Sequence, residues 1–314
     1  MNIATAFAPA TVSNVAVGFD ILGFAIEGAG DLVTISKIDR PAVVITEIVD
    51  KDGNDDLELS FEAKENAATA GLIRLRSDLG LAYGFAASLR KGIAIGSGMG
   101  GSAASAVAAV VAANELLPRR LGPEELLKYA LIGEQAVSGT AHADNVAACL
   151  LGGLRLIVSL DPARTVSIPV PKEMLTVVVH PRCRVETRRA REILSCEVSL
   201  ADHVRQSAHL GGLIAGCYTN DFELIKASLC DLLIEPQRAA LVPVLPEVKA
   251  AAMRSGALGA SISGSGPSIF AWANSAETAA EIRSAMLQAY RKNEVDDVDS
   301  WISPVGTQGA RIVG

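Results

Sequence analysis

The chain has 314 residues, of which half are hydrophobic and only 4% are aromatic, and its formal net charge is −7. This length allows two domains, and the many small aliphatic residues favour layers of helices and sheets over a β-sandwich. The acidic balance argues against a nucleic-acid partner, and no uninterrupted apolar run of about 18 residues is present, so we predict no nucleic-acid surface and no membrane span.

Predicted strands and helices alternate through the first half of the chain. Apolar residues alternate along 32–38 and 43–48, which predicts two strands paired with each other. A further strand, predicted over 85–95, ends in a glycine-rich loop. The other patterns predict a helix over 66–79, a helix over 103–114, a helix over 123–134 and a strand over 155–160.

Residues 161–171 contain prolines and show little periodicity, so we place a domain boundary there and predict domains over 1–160 and 161–314. Beyond it, we predict a strand over 175–180, an arginine-rich helix or loop over 184–194, helices over 204–218, 222–233, 246–254 and 276–290, and strands over 257–262 and 269–272. The last two strands flank a second glycine loop at 263–267. The acidic turn at 296–299 is interpreted as solvated surface.

The cysteine pattern and the N-terminal segment both bear on the compartment. The first residues lack the basic and apolar regions of a secretory signal peptide. The five cysteines are dispersed without a Cys-x-x-Cys pair, which is typical of thiols in a reducing compartment. We therefore predict a cytoplasmic protein.

The stretch from Ala94 to Ser105, AIGSGMGGSAAS, lies between a predicted strand and a predicted helix. Its four glycines leave backbone N–H groups free to converge on an anion, and the N-terminus of the helix directs its positive dipole end to the same place. Ser97, Ser102 and Ser105 add hydroxyl groups. The pattern predicts a phosphate-binding loop.

Other interpretations of this loop can be weighed from the residues. A P-loop is disfavoured because no lysine follows the glycines. Gly96, Gly98 and Gly101 have dinucleotide-loop spacing, but that motif expects an acidic residue about 20 positions on, at a strand end. Glu115 comes earlier and belongs to a helix end. A loop that merely turns the chain remains the alternative.

Residues suited to metal binding stand near the loop. Mg²⁺ prefers oxygen ligands and keeps several waters, so one hydroxyl and one carboxylate suffice. Ser102 and Glu134 are the candidates, although the common fate of a glutamate is an exposed position. His142, Asp144 and Asn145 form a polar cluster that we expect to line a pocket, and no second histidine at ligand spacing supports zinc.

Side chains suited to an amino-acid substrate stand elsewhere. Arg191 and Arg238 carry planar guanidinium groups that can bind a carboxylate through two hydrogen bonds, and Asp20, beside a turn at Gly18, can pair with an ammonium. Four other arginines surround Arg191, and most must be solvated. Together these side chains would fit a zwitterionic amino acid that also carries a hydroxyl, and the residues by themselves predict an ATP-dependent small-molecule kinase.

Three longer motifs and three shorter ones follow one another along essentially the whole chain. The longer motifs are PATVSNVAVGFDILG from Pro9, the loop from Ala94 and GASISGSGPSIFA from Gly259. The shorter ones are His142-x-Asp144-Asn145, Thr187 to Arg191, and Glu235-Pro-x-Arg238. In this order and spacing they resemble the homoserine kinases of the GHMP small-molecule kinase superfamily more than mevalonate kinases or galactokinases.

The resemblance implies an α+β protein with the two-domain GHMP kinase fold. Its N-terminal α/β domain would contain the left-handed βαβ unit known from a ribosomal protein domain, and its C-terminal α/β domain would be ferredoxin-like. The implied reaction is phosphorylation of the side-chain hydroxyl of L-homoserine by ATP with Mg²⁺. The implied setting is a cytoplasmic homodimer in threonine biosynthesis.

The resemblance also implies roles for individual residues. The substrate contacts would be Asn14, Asp20, His142, Asn145, Arg191 and Arg238. The ATP contacts would be Asn66, Ala94, Ile95, Gly96, Ser97, Gly98, Met99, Gly100, Gly101, Ser102, Ala103 and Ala104, and the Mg²⁺ ligands Ser102 and Glu134. Asp144, Asn145 and Thr187 would lie at the reacting hydroxyl, and we interpret Asp144 as a positioning residue, with general-base catalysis as the lesser alternative.

Two positions depart from the family pattern. Gly101 stands where a serine is usual, and Ala16-Val17 replaces a common Gly-Pro before Gly18. Two alternatives to the leading prediction stay open: a GHMP kinase for another small hydroxylated substrate, and a non-catalytic nucleotide-binding regulator on the same fold. A nicotinamide-dependent oxidoreductase is a more distant third.

Overall fold

The computed structural model describes residues 2–161 and 163–313. The strands in these ranges are β1 (Ile3–Ser13), β2 (Leu22–Ile38), β3 (Val43–Asp50), β4 (Gly84–Lys91), β5 (Leu154–Leu160), β6 (Ala163–Ile168), β7 (Leu175–Pro181), β8 (Gly259–Ile262), β9 (Ile269–Ala273), β10 (Val298–Pro304) and β11 (Arg311–Ile312). The helices are α1 (Ala67–Asp78), α2 (Gly101–Asn114), α3 (Pro123–Ser138), α4 (Ala143–Leu151), α5 (Thr187–Glu192), α6 (Leu200–Thr219), α7 (Phe222–Ser228), α8 (Glu235–Arg238), α9 (Leu245–Arg254) and α10 (Ala276–Lys292). None of the helices in the described ranges has the length and apolar character that a membrane crossing requires.

The first sheet contains seven strands. β11, β1, β2, β4 and β3 are hydrogen-bonded in that order, and the hairpin β5–β6 attaches to the start of β2. The predicted pairing of 32–38 with 43–48 is wrong, because β4 lies between β2 and β3 and runs parallel to β3. The four residues between β2 and β3 reach about 13 Å, which is enough to step over one strand at about 4.8 Å spacing.

The second sheet contains four antiparallel strands in the order β10, β7, β9 and β8. Alternate residues of its central strands serve two different cores. Val177, Val179 and Ala271 pack in a cluster with α9 and α10, whereas Phe270 and Trp272 belong to the core of the first sheet. The second sheet is therefore covered on both faces.

Helix α2 is packed among β1, β2, α1 and α3. Its side chains are almost all Ala and Val, and the helix is buried around most of its circumference. Small side chains allow this, because a helix with bulkier residues could not approach a sheet and two helices together. The packing fixes the direction in which the N-terminus of α2 points.

Six of the strands and α-helices in the described ranges were not predicted: β1, α4, β6, α8, β10 and β11. β6 and β10 each pair with a single neighbouring strand and are partly exposed, so their polar residues conceal the strand pattern. Asp299 of the predicted acidic turn lies in β10. The hairpin β5–β6 spans the predicted boundary at 160/161, and β11 returns the chain to the first sheet. The chain therefore passes from the first sheet to the second between residues 168 and 175. The domain limits stay a prediction.

Three aromatic side chains join the two sheets. The ring of Phe24 on β2 meets the ring of Phe270 edge to face at 6.1 Å between centroids, and that of Trp272 lies 5.8 Å away. All three side chains are fully buried. Burial of this size, with aromatic contacts added, makes the junction a substantial part of the stability of the fold.

We expect Phe24→Ala to lower the free energy of unfolding by about 3 to 5 kcal/mol, because it opens a cavity between the sheets. Urea denaturation measures this change. Phe61→Ala is the matched control, since Phe61 is 55% exposed and should change stability by less than about 0.5 kcal/mol. Equal effects of the two variants would contradict a shared aromatic core.

Candidate active site

A cleft of about 620 Å³ lies where the two sheets meet. It is lined by almost all of the predicted site residues: Asn14, Asp20, Asn66, Ala94, Ile95, Gly96, Ser97, Gly98, Gly100, Gly101, Ser102, Glu134, His142, Asp144, Asn145, Thr187, Arg191 and Arg238. Met99, Ala103 and Ala104 do not line it, since their side chains are buried beneath the loop. Segments far apart in the sequence therefore converge on one cavity.

The glycine-rich loop connects β4 to α2 and touches both halves of the protein. Gly98 and Gly100 have φ values of 77° and 69°, in the left-handed region that favours glycine. A Cβ at Gly98 would lie 2.4 Å from the carbonyl oxygen of Ser263, and one at Gly100 would lie 2.1 Å from Oγ1 of Thr11. Both positions therefore require glycine by conformation and by space.

The second glycine loop holds the first one in place. The Ser263 hydroxyl donates to the carbonyl of Gly98 at 2.7 Å. The backbone N–H and hydroxyl of Ser268 both donate to the carbonyl of Ser97, at 3.2 and 2.7 Å. His180 on β7 hydrogen-bonds the same Ser268 hydroxyl at 3.1 Å. The glycine-rich loop is thus supported by the second sheet.

A buried ion pair beneath the loop was missed by the sequence analysis. The ammonium of Lys91 pairs with Asp31 and donates to the carbonyl of Gly101 at 2.8 Å and to the hydroxyl of Ser105 at 2.7 Å. Asp31 also accepts from the backbone N–H groups of residues 92 and 93. These contacts fix both ends of the loop, and they occupy the Ser105 hydroxyl that we had expected to face the anion.

Glu134 and His142 bring α3 and the start of α4 together. Oε1 of Glu134 lies 3.0 Å from Nδ1 of His142, whereas the buried Oε2 has no hydrogen-bond partner. Burial disfavours protonation of His142, but its hydrogen bond to the Glu134 carboxylate and the charges of nearby carboxylates outweigh this effect and raise the pKa of His142.

An unpartnered buried carboxylate oxygen in a cleft fits a cation ligand. Ser102, in the first turn of α2 beside the loop, supplies a hydroxyl to the same cavity. The described residues contain no group of three or more His, Cys, Asp or Glu side chains suited to a metal. A site of one carboxylate and one hydroxyl is consistent with Mg²⁺, which keeps several waters.

At the other end of the cleft, Asp20 and Arg191 form a two-pronged ion pair with N–O distances of 2.7 and 3.0 Å. Arg238 is buried and donates to the backbone carbonyls of Ala190 and Gly264, both at 2.9 Å. Burial and the charge of Arg191 lower the pKa of Arg238 to about 10. Asp20 and Arg191, which are expected to bind the ammonium and the carboxylate of a zwitterion, thus pair with each other.

Phe19, which sequence reasoning did not single out, lies between these cations. The guanidinium carbons of Arg191 and Arg238 are each 5.1 Å from the centre of its ring. An aromatic face attracts cations, so Phe19 stabilises two like charges side by side. Its place next to Asp20 in the N-terminal motif was the available signal.

The turn that carries Asp20 is fixed by Asn14, whose side chain accepts from the N–H of Asp20 at 3.1 Å and donates to the Gly264 carbonyl at 3.0 Å. Asn14 and Asp20 both have positive φ values. Gln206 on α6, another residue not predicted, donates to the Val17 carbonyl at 3.4 Å and to Asp231 at 3.0 Å. Gln206 therefore links this turn to the segment before α8.

The remaining predicted residues have local partners. Asn145 accepts a hydrogen bond from Thr11 at 2.7 Å, and Thr187 lies 3.5 Å from the hydroxyl of Ser265. The side chain of Asn66 caps α1 by accepting from the N–H of Ala68 at 3.0 Å. Asn66 thus lines the cleft while its side-chain oxygen caps α1, and its contact with the adenine of ATP stays a prediction.

Asp144 is almost completely buried at the start of α4. Burial, together with the negative charge of Asp20, raises the pKa of Asp144 to about 6. The carboxyl accepts from the backbone N–H of Asn145 at 2.9 Å. The folded protein therefore binds this proton more tightly than the unfolded chain does.

We expect Asp144→Asn to raise the free energy of unfolding above pH 6 by about 2 to 3 kcal/mol relative to the parent protein. The stability that the protonated carboxyl provides is complete below about pH 4 and is lost as pH rises through about 6, so the gain should vanish at the acid end. Urea unfolding from pH 4 to 8 measures it, with exposed Asp56→Asn as the control. A difference that does not vary with pH would contradict the raised pKa.

Comparisons with known proteins agree along the whole chain. The models of the GHMP kinases N terminal domain and of the GHMP kinases C terminal domain match residues 66–153 and 213–292. A homoserine kinase of Xanthomonas campestris pv. campestris is 45% identical over 310 residues, covering 99% of this chain and 94% of that protein. One of Chlorobium phaeovibrioides is 40% identical over 320 residues, with both chains fully covered.

A solved structure gives the same result for the fold. The crystal structure of a homoserine kinase from Cytophaga hutchinsonii superimposes with a TM-score of 0.95 at 42% identity, covering 100% of this chain and 98% of that one. The predicted two-domain α+β architecture is therefore confirmed. The chain belongs to the homoserine kinase family of the GHMP kinases.

Proposed function

We propose that this protein transfers the γ-phosphoryl group of ATP to the side-chain hydroxyl of L-homoserine, giving O-phospho-L-homoserine for threonine biosynthesis. The observation that carries the proposal is the position of the Asp20–Arg191 pair and Arg238 in the same cleft as the glycine-rich loop. One end of the cleft suits a phosphate chain and the other suits an amino acid. The relatives named above, all homoserine kinases, support the same substrate.

On the donor side, the loop and the N-terminus of α2 offer backbone N–H groups and a positive dipole end to the phosphates. Ser102 and the free oxygen of Glu134 would hold Mg²⁺, which supplies charge neutralisation for the phosphoryl group in transfer. The buried Lys91–Asp31 pair keeps the loop rigid, so little reorganisation is needed during the reaction.

On the acceptor side, binding of the substrate would replace the Asp20–Arg191 ion pair with ion pairs at both ends of the substrate. Its ammonium group would pair with Asp20, and its carboxylate with Arg191 and Arg238. The Phe19 ring would keep both guanidinium groups in place after Asp20 changes partner. An alcohol without an amine would leave Asp20 unpaired, which disfavours mevalonate.

Asp144, Asn145 and Thr187 would position the hydroxyl, with Asn14 and His142 completing the pocket. A loose phosphoryl transition state demands little of a base, so positioning is the proposed role of Asp144. The variant Asp144→Asn also tests this assignment. Turnover lost with substrate affinity unchanged would identify Asp144 as a general base instead.

The proposed setting is the cytoplasm, and the proposed assembly is a homodimer. Dispersed free cysteines are consistent with a reducing compartment. The mass of the native protein in solution tests the assembly, and a monomer at micromolar concentration would refute it.

The experiment that tests the function is ATP turnover with Mg²⁺ against L-homoserine, L-serine, L-threonine, mevalonate and galactose. We expect selective turnover of L-homoserine, and we expect Asp20→Asn to raise KM for L-homoserine at least about tenfold with KM for ATP nearly unchanged, since a charged hydrogen bond is lost. Turnover of mevalonate or galactose would indicate another GHMP substrate. Nucleotide binding without turnover of any acceptor would indicate a non-catalytic regulator.

We expect Glu134→Gln to lower turnover on the order of 100-fold and to raise the Mg²⁺ concentration needed for half-maximal activity. Substitution of a residue that hydrogen-bonds to a metal ligand typically lowers metal affinity or activity roughly ten- to hundredfold, and loss of a direct ligand should have an effect at least as large. Titration of Mg²⁺ at saturating ATP measures it. Glu124→Gln, on the exposed first turn of the same helix, is the control, and an unchanged Mg²⁺ requirement in Glu134→Gln would refute the assignment.

A further inference from the structure

The side chain of Arg184 lies across the glycine-rich loop. A Cβ at Gly96 would be 2.3 Å from Cγ of Arg184 and 3.2 Å from its Nε, so the arginine rests directly on the loop backbone. The N–H of Val185 donates to the Gly96 carbonyl at 3.1 Å and fixes the two segments together. Arg184 lines the same cleft as the loop.

Three of the other four cations of the cleft are held by buried or bidentate contacts. Lys91 is buried beneath the loop against Asp31, and Arg191 is paired with Asp20. Arg238 binds two backbone carbonyls at the acceptor end. Arg188 pairs with Glu192 on its own short helix, and because these side chains are 87% and 60% exposed, that pair is also weak. Of the two loosely paired guanidinium groups in the described lining, that of Arg184 is the one whose side chain rests on the loop backbone at Gly96.

Arg184 is held only loosely. Its Nη1 contacts Oε2 of Glu58 at 3.2 Å, and the side chains are 51% and 85% exposed. An ion pair this exposed is worth little, because water competes for both charges. Glu58 comes from the segment before α1, so the pair spans the mouth of the cleft. A stronger anion can replace Glu58 at little cost.

We propose that Arg184 is a further nucleotide-binding residue, which exchanges Glu58 for the phosphate chain of ATP. The guanidinium fork matches phosphate oxygens, and its present position places it within a side-chain rotation of an anion seated on the loop. The exchange also breaks the ion pair between Glu58 and Arg184. This inference rests on the proposed function only in taking a nucleoside polyphosphate as the ligand.

The test is the affinity of Arg184→Gln for ADP and for adenosine, titrated separately in the presence of Mg²⁺ and without an acceptor. We expect ADP to bind about tenfold more weakly and adenosine to bind within about twofold of the parent, since one charged hydrogen bond to phosphate is lost. Arg184→Lys, which keeps the charge but loses the fork, should lie between. Equal losses for ADP and adenosine would overturn the proposal.

Arg182→Gln is the matched control. Arg182 stands two residues earlier, is 55% exposed and pairs with Asp297 and Asp299, away from the cleft lining. It should leave both affinities unchanged. An equal loss of ADP affinity in Arg182→Gln would mean that net charge, rather than contact, accounts for the effect.

Glu58→Gln separates phosphate binding from a structural role of the ion pair. If Arg184 binds phosphate, removing its competitor should leave ADP affinity unchanged or raise it by up to about threefold. Weaker ADP binding in Glu58→Gln than in the parent would overturn the proposal. Because no acceptor is present, these titrations test the role of Arg184 even if L-homoserine is not the substrate. The turnover assay with L-homoserine tests the proposed function separately.

Discussion

The close contact of two glycine loops is the constraint on which the rest of the molecule depends. Gly98 approaches the Ser263 carbonyl so closely that no side chain fits between them. This contact joins the first sheet, from which the glycine-rich loop continues, to the second sheet, which carries the Ser263 loop and, at the carbonyl of Gly264, accepts a hydrogen bond from Arg238. Packing therefore holds the two ends of the cleft at a fixed separation, with Phe24, Phe270 and Trp272 as the junction between the sheets.

Two ion pairs of the cleft differ in whether a charged ligand can open them. The Lys91–Asp31 pair lies beneath the loop, and the Asp20–Arg191 pair faces the cavity. Lys91 and Asp31 are buried, share several further hydrogen bonds and cannot separate without leaving an unpaired charge in the interior. Asp20–Arg191 is only partly buried and faces the cavity. Burial thus distinguishes the pair that supports the loop from the one that a charged ligand can open.

The sequence predicted which residues line the cleft better than it predicted the framework behind them. Glycine spacing, the Asp20 turn and the two arginines are local patterns with a direct chemical meaning, and the structure brings them to one cleft. Lys91, Asp31 and Gln206 act through partners distant in sequence, which no local pattern reports. The strand order failed for the same reason, since alternation predicts that residues 43–48 form a strand but not that β4 lies next to it.

The charge balance of the cleft favours both the proposed metal ion and the proposed exchange of partner by Arg184. Five carboxylates and five cationic side chains line it, so the cavity itself is close to neutral before a ligand enters. A nucleoside triphosphate adds several negative charges beside Glu134 and Asp144, and charges in a partly enclosed site are weakly screened. The proposed Mg²⁺ and the ammonium group of the substrate would offset part of this negative charge, whereas burial and the charge of Asp20 already raise the pKa of Asp144 to about 6. The neutral form of a carboxyl can position an alcohol by hydrogen bonding but cannot remove its proton, which adds to the loose transition state as a reason for proposing that Asp144 positions the hydroxyl.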